Sequence, residues 1–343
     1  MNQWPLPHFR DTSSSWHYRC TVRVVLALVS LVSFVPQHMG SGDSVQARDT
    51  QSVIESVTPS LPGGVKVSVV GSDTFIRIES RGHNVQVPGY ENEPYLRINK
   101  NGVVQVNDSS QTTVLNGNRY GSVDLSTFKK SDIPKWRTIA TSGIAMWHDH
   151  RSHWMSPIRP AVIDDAGTVL KWTVPVIVDG VQTQIRGTLY LRAEAPMMWW
   201  GIALIALLLA VFVSSWNSRA LRMLVALIAC LGVFVGAQEF IGLPTGARIT
   251  PVLLLFSIGA TLLASASLVG ERWKMPSHVS ASLNAGAGAA LLVAVWLCVG
   301  QVRSAYVPGL EAPWIARTTL TAMVGVGVVA VVDAFIRITK NAS

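Results

Sequence analysis

VLKWTVPVIVDGVQTQIRGTLYL, residues 169–191, decides the fold of the first half of this chain. Val169–Val178 and Val181–Leu191 are runs of β-branched and aromatic residues on either side of Asp179-Gly180. That dipeptide tolerates the positive φ values that a two-residue hairpin demands at both central positions. The reading is therefore a long antiparallel hairpin, which needs further strands to cover its apolar face.

Those strands are found upstream. Val65–Val70 and Thr74–Ile78 alternate around the turn Gly71-Ser72-Asp73, and Asn84–Pro88, Tyr95–Ile98, Gly102–Val106 and Trp136–Ala140 are further short runs. Residues 107–135 are rich in Asn, Ser, Gly and Lys and read as loop. Short strands with turn signals and no helix-period segment predict an all-β sandwich, immunoglobulin-like or cupredoxin-like, over residues 48–195. About 145 residues are enough for one core. The cysteines, Cys20, Cys230 and Cys298, all lie outside this domain, which excludes a disulfide or a thiolate ligand within it.

Downstream of Pro196 the pattern changes. Across 343 residues, 49% are hydrophobic and only 14% charged, and the apolar ones concentrate here. Five segments, approximately 197–215, 221–241, 250–269, 283–302 and 318–336, are near the length needed to cross a bilayer. Residues 196–343 are thus expected to be a helical membrane domain with five spans. Arg219, Arg222, Arg272, Lys274, Arg337 and Lys340 fall on one side and Arg248, Arg303 and Arg317 on the other. The excess places the first set in the cytoplasm, the β-domain outside and the carboxyl terminus inside a multi-pass plasma-membrane protein. The net charge of +8 is then mainly an orientation signal; basic residues interleaved with aromatics are missing, which excludes a nucleic-acid partner. Within the spans, Glu239 and Asp333 are the acids, Asp333 close enough to one end to reach water. Ala285–Ala289 and Gly325-x-Gly327 read as small-residue packing faces.

At the other end, the short apolar run Val24–Val35, stopped by Pro36, has the size of a signal-peptide core. Residues 1–37 are read as that signal, with a cut between Gln37 and Ala47 or, alternatively, an uncleaved anchor. A cut after Gln37 would make His38 the first residue, and its α-amino group and imidazole would form a bidentate chelate.

The chemistry concentrates in WHDHRSHWM, residues 147–155, which holds three of the eight histidines. In an extended segment His148 and His150 share a face, and a turn after Arg151 returns His153 to the same point. Neutral imidazoles suit copper, zinc and nickel, and a planar all-nitrogen set favours Cu(II). The expected ligands are His148, His150, His153 and His38. Asp149 is expected to orient an imidazole, and Arg151, Trp147, Trp154 and Met155 to wall the site. The bland alternative uses the same residues without metal: Asp149 and Arg151 simply pair, and the histidines hold a turn.

SVTPSLPGGVKV (56–67), GYENEPYLRINKNGV (89–103), WHDHRSHWMSP (147–157) and WTVPVIVDG (172–180) resemble a family of actinobacterial membrane proteins with a signal peptide, a β-ectodomain and a helical membrane region. The layout is also similar to copper-resistance membrane proteins. With the histidine stretch, the first reading is a surface protein whose β-domain binds copper for handling or delivery, with membrane lipid and a secreted copper protein or membrane oxidase complex as expected partners. A non-metal assembly factor of the cell envelope, using the histidine loop as a partner surface, is the second reading. Oxidative copper chemistry is the third. With no Gly-x-Ser-x-Gly and no phosphate loop, hydrolase or ATPase activity is not expected.

Overall fold

The structure, a computed structural model, describes residues 45–340 apart from 127, 130, 132, 245, 246, 249 and 311. The expected signal segment, 1–37, and His38 lie outside the described residues. Ten strands form two antiparallel sheets. The larger has the spatial order β1 (Thr50–Thr58), β10 (Val181–Leu191), β9 (Thr168–Val178), β4 (Val85–Pro88), β5 (Pro94–Ile98), β6 (Val104–Asn107) and β7 (Trp136–Ala140). The smaller has the order β2 (Val65–Val70), β3 (Phe75–Ser80) and β8 (Ile144–Trp147). Trp172, Val174, Val176 and Val178 point inward from β9 at every second position, as a half-buried strand requires. They meet Ile76, Ile78, Ala145 and Trp147 from the smaller sheet in one core. Each fully buried Val or Ile there contributes about 1.5–3 kcal/mol.

The β9–β10 hairpin closes as expected: Asp179 and Gly180 have φ of 47° and 86°. Asp179 also fastens the neighbouring turn. Its carboxylate accepts the Asn84 backbone N–H at 2.9 Å and lies 2.7 Å from His83 Nδ1. Two strands go beyond those expected, β1 at an edge and β8 leading into the histidine stretch. The loop expected over 107–135 contains one short helix, α1 (Gln111–Leu115).

Five long helices follow: α2 (Trp199–Trp216), α3 (Ser218–Gly242), α4 (Val252–Arg272), α5 (Ser277–Cys298) and α7 (Pro313–Lys340), with a short α6 (Gly300–Arg303) before the last. All five are long and apolar enough to cross a membrane. α7 is the central element. A side chain at Gly325 would strike the α2 backbone at Ala203 and Leu207, while Gly288 and Gly327 face each other across α5 and α7. These close approaches account for the small-residue faces in the sequence. Asp333, in α7, accepts from Ser214 Oγ at 2.5 Å and pairs with Arg337 at 2.7 Å.

The β-domain sits on one end of this bundle. Ala195 N–H donates to Arg303 O (2.7 Å), Tyr306 N–H to Arg48 O (3.0 Å) and Ala305 N–H to the Asp49 carboxylate (2.8 Å). Val45, Leu243 and Ala247 form a small core at the seam, with Phe75, Met146 and Tyr306 packed on it. Because the helices alternate direction, Arg219, Arg222, Arg272, Lys274, Arg337 and Lys340 fall at the end remote from the β-domain.

Candidate functional site

β8 ends at Trp147, whose ring fills the sandwich core and whose Nε1–H donates to Asp149 Oδ2 at 2.9 Å. The chain then turns. Ser152 N–H donates to Asp149 O at 2.9 Å, and Arg151 forks onto the Asp149 carboxylate at 2.8 and 2.7 Å. The strand ladder ends at Trp147, before either His148 or His150. The turn gathers the rings. His153 packs against both, with ring centroids 5.1 Å from His148 and 5.3 Å from His150. Asp149 is committed elsewhere: its oxygens serve Trp147 and Arg151 rather than an imidazole, the pairing that the bland alternative anticipates.

A loop the sequence did not single out holds two of the imidazoles. His150 Nε2 lies 3.0 Å from Asn118 O, and His153 Nε2 lies 3.0 Å from Arg119 O. A carbonyl only accepts, so both Nε2 atoms carry a proton, and in the neutral form of each ring Nδ1 carries the lone pair. His153 Nδ1 is buried and has no hydrogen-bond partner among the described residues. Tyr90 completes the surround: its hydroxyl accepts from His150 N–H at 2.8 Å and bonds Asn116, and its ring stacks on His150 at 5.8 Å. At Gly121, φ is +65°, and a Cβ there would meet Met155 Cε at 2.9 Å and His150 Cε1 at 3.4 Å. Met155 and His150 thus close over the same point of this loop. Trp154 donates to Ile158 O at 2.6 Å and stands at the rim.

The electrostatics keep His148 and His153 neutral. His148 is 3% and His153 1% exposed. Burial, then the neighbouring His153 and the Arg119 and Arg48 guanidinium groups, push His148 down to about 3. Burial and Arg119 push His153 down to about 4. Beside them, Asp73 accepts Arg48 Nη1, Arg119 Nη2 and Thr50 Oγ1, each at 2.7 Å. Burial raises its carboxyl, but the two guanidinium groups and the hydroxyl outweigh that and hold it below the usual range. His148 also packs on Phe75 at 4.8 Å, and Phe75 belongs to the seam. The cluster thus lies close to the seam between the β-domain and the helices. A groove of about 340 Å³ runs alongside, lined by Arg48, Arg119, Tyr120, Trp154 and Arg159 among others.

No family model, curated protein or solved structure matches the chain. The site must therefore be read from its own geometry. Among the described residues, no three His, Cys, Asp or Glu side chains are arranged as a ready metal cage. A metal here would draw on the two Nδ1 lone pairs of His150 and His153 and on a third group that reorients. Two imidazoles that share one ion at about 2.0–2.1 Å place their ring centroids roughly 5 Å apart. The 5.3 Å between His150 and His153 meets that condition, and each Nε2–H donates to a backbone carbonyl, the support that ligating imidazoles ordinarily have.

Proposed function

We propose that the protein is a multi-pass plasma-membrane protein whose β-domain faces outward and holds one copper ion, for handling or delivery to a partner. The immunoglobulin-like or cupredoxin-like character of the sandwich belongs to the same proposal. His150 and His153 are the principal ligands, each through Nδ1, with His148 or Met155 as the third. Support comes from one observation above all: the buried Nδ1 of His153, in a ring packed against the other two imidazoles, with no hydrogen to accept among the described residues. A buried acceptor left without a donor costs about 1–3 kcal/mol, and a metal ion would satisfy it. The depressed pKa values favour the neutral, ligand-ready form. Membrane lipid and a secreted copper protein or membrane oxidase complex are the proposed partners. A partner-surface role for the histidines has less support, since two of the three rings are buried.

The test uses purified full-length protein in lipid nanodiscs. Copper analysis should give about one ion per chain, with nitrogen coupling in the electron-spin spectrum of the Cu(II) form. His153→Ala and His150→Ala should each weaken binding by at least about 10-fold, the low end of what even supporting residues contribute. His83→Ala, at the far end of the domain, should leave it unchanged. Copper uptake that persists unaltered in the His150→Ala/His153→Ala double variant places the metal elsewhere and ends this reading.

A further inference from the structure

A second site lies inside the helical bundle, independent of the histidines. Glu239, in the last turn of α3, is only 3% exposed. The Gln301 side chain of α6, 5% exposed, is near enough to interact with its carboxyl group. Gln301 Oε1 is buried and without a hydrogen-bond partner among the described residues. Glu239 Oε1 is also buried and without a partner among the described residues. Two buried acceptor oxygens thus lie at this end of the bundle with no hydrogen for either among the described residues.

The surroundings offer no compensating charge. From α5, the Cys298 thiol is near enough to interact electrostatically with Glu239. Arg248, in the loop before α4, turns instead to Leu243 O at 3.3 Å and to the Phe240 ring. Arg317 of α7 donates to Ser304 O and Ala305 O. Arg303 of α6 is exposed, and Tyr306 lies in the seam. Among the described residues no cation pairs with Glu239. An ionised carboxylate buried without a partner is far too costly to persist, and such groups in membranes mark proton or ion sites. Two oxygens are too few for a hard metal cation, which takes six or more. One added proton, by contrast, turns the carboxylate into a donor and removes the charge.

We propose that Glu239, with Gln301 as its partner, is a proton-binding site at the outer end of the membrane domain. The site sits directly beneath the β-domain seam. Gly309 packs on the Glu239 backbone, and α6 carries the Arg303 carbonyl that holds Ala195.

Infrared difference spectroscopy on the full-length protein in nanodiscs tests this. At neutral pH the wild type should show the carbonyl band of a protonated carboxylic acid. Glu239→Gln, which keeps the shape, should lose it, and Asp333→Asn should retain it. Gln301→Leu keeps the carboxyl but removes its polar neighbour, so the band should persist and move to higher frequency. A wild-type spectrum without the band, or one unchanged by Glu239→Gln, overturns the proposal. A band that appears only when sodium is replaced by choline makes a metal cation the occupant and overturns it as well.

Discussion

Asp73 holds Arg48 and Arg119 on a single buried carboxylate, and those contacts set the potential at the histidines. Asp73→Asn removes the carboxylate charge that Arg48 and Arg119 share. Breaking such a pair from one side costs about 3–5 kcal/mol, and denaturant unfolding of the full-length protein should show a loss of that size. The histidines predict an acid limit. Their pKa values are depressed on folding, to about 3 for His148 and about 4 for His153, so below about pH 6.5 the unfolded chain binds more protons. The stability they permit is complete above about 6.5 and is lost as pH falls towards 4 and then 3, at about 1.4 kcal/mol per pH unit for each ring. Unfolding of metal-free protein across that range should show the slope, and His148→Gln/His153→Gln should flatten it; equal slopes would remove the histidines from the account. The sequence made the three histidines conspicuous, yet their grouping rests on contacts with Asn118 and Arg119 that no local pattern reveals. Asp73 read as a turn residue because its partners lie 25 and 46 positions away.

Elements with clean periodicity were legible. β2, β7 and β10 run as their alternation predicts, and Asp-Gly marks the hairpin turn. β1 was not, because a bulge between Ile54 and Ser56 interrupts its period and it lies at an edge with few inward residues. β8 is four residues long and merges with the histidine turn. Among the helices, α5 begins at Ser277, earlier than hydropathy suggests, because Ser280 and Asn284 are polar yet buried against neighbouring helices. The Gly288–Gly327 contact decides how closely α5 and α7 approach. Gly327→Val would meet Gly288 O at 3.0 Å and the Leu292 side chain at 3.1 Å. Such overpacking costs about 1–3 kcal/mol, so the melting temperature in nanodiscs should fall. Gly259→Ala, with nothing within 4 Å, is the matched control and should melt as the wild type does.

At the scale of the whole molecule, five helices of alternating direction under one β-domain form a plan that sequence and structure share, and the proposed direction rests on the charge bias alone. In a cysteine-free background, Ile158→Cys, on the 75% exposed rim of the β-domain, should react with an impermeant thiol reagent in intact cells. Lys274→Cys should react only after permeabilisation; labelling of position 274 from outside would invert the protein. What the sequence did not disclose is the join between the two halves, since an apolar run says nothing of what rests on its end. Two of the bonds across that join, Ala195 to Arg303 and Tyr306 to Arg48, run from backbone to backbone. Such bonds are indifferent to side-chain identity. A substitution at Ala195, Arg303, Tyr306 or Arg48 that spares the backbone therefore leaves these two bonds in place, whereas the Asp49 carboxylate and the small apolar core make the attachment depend on which side chains are present.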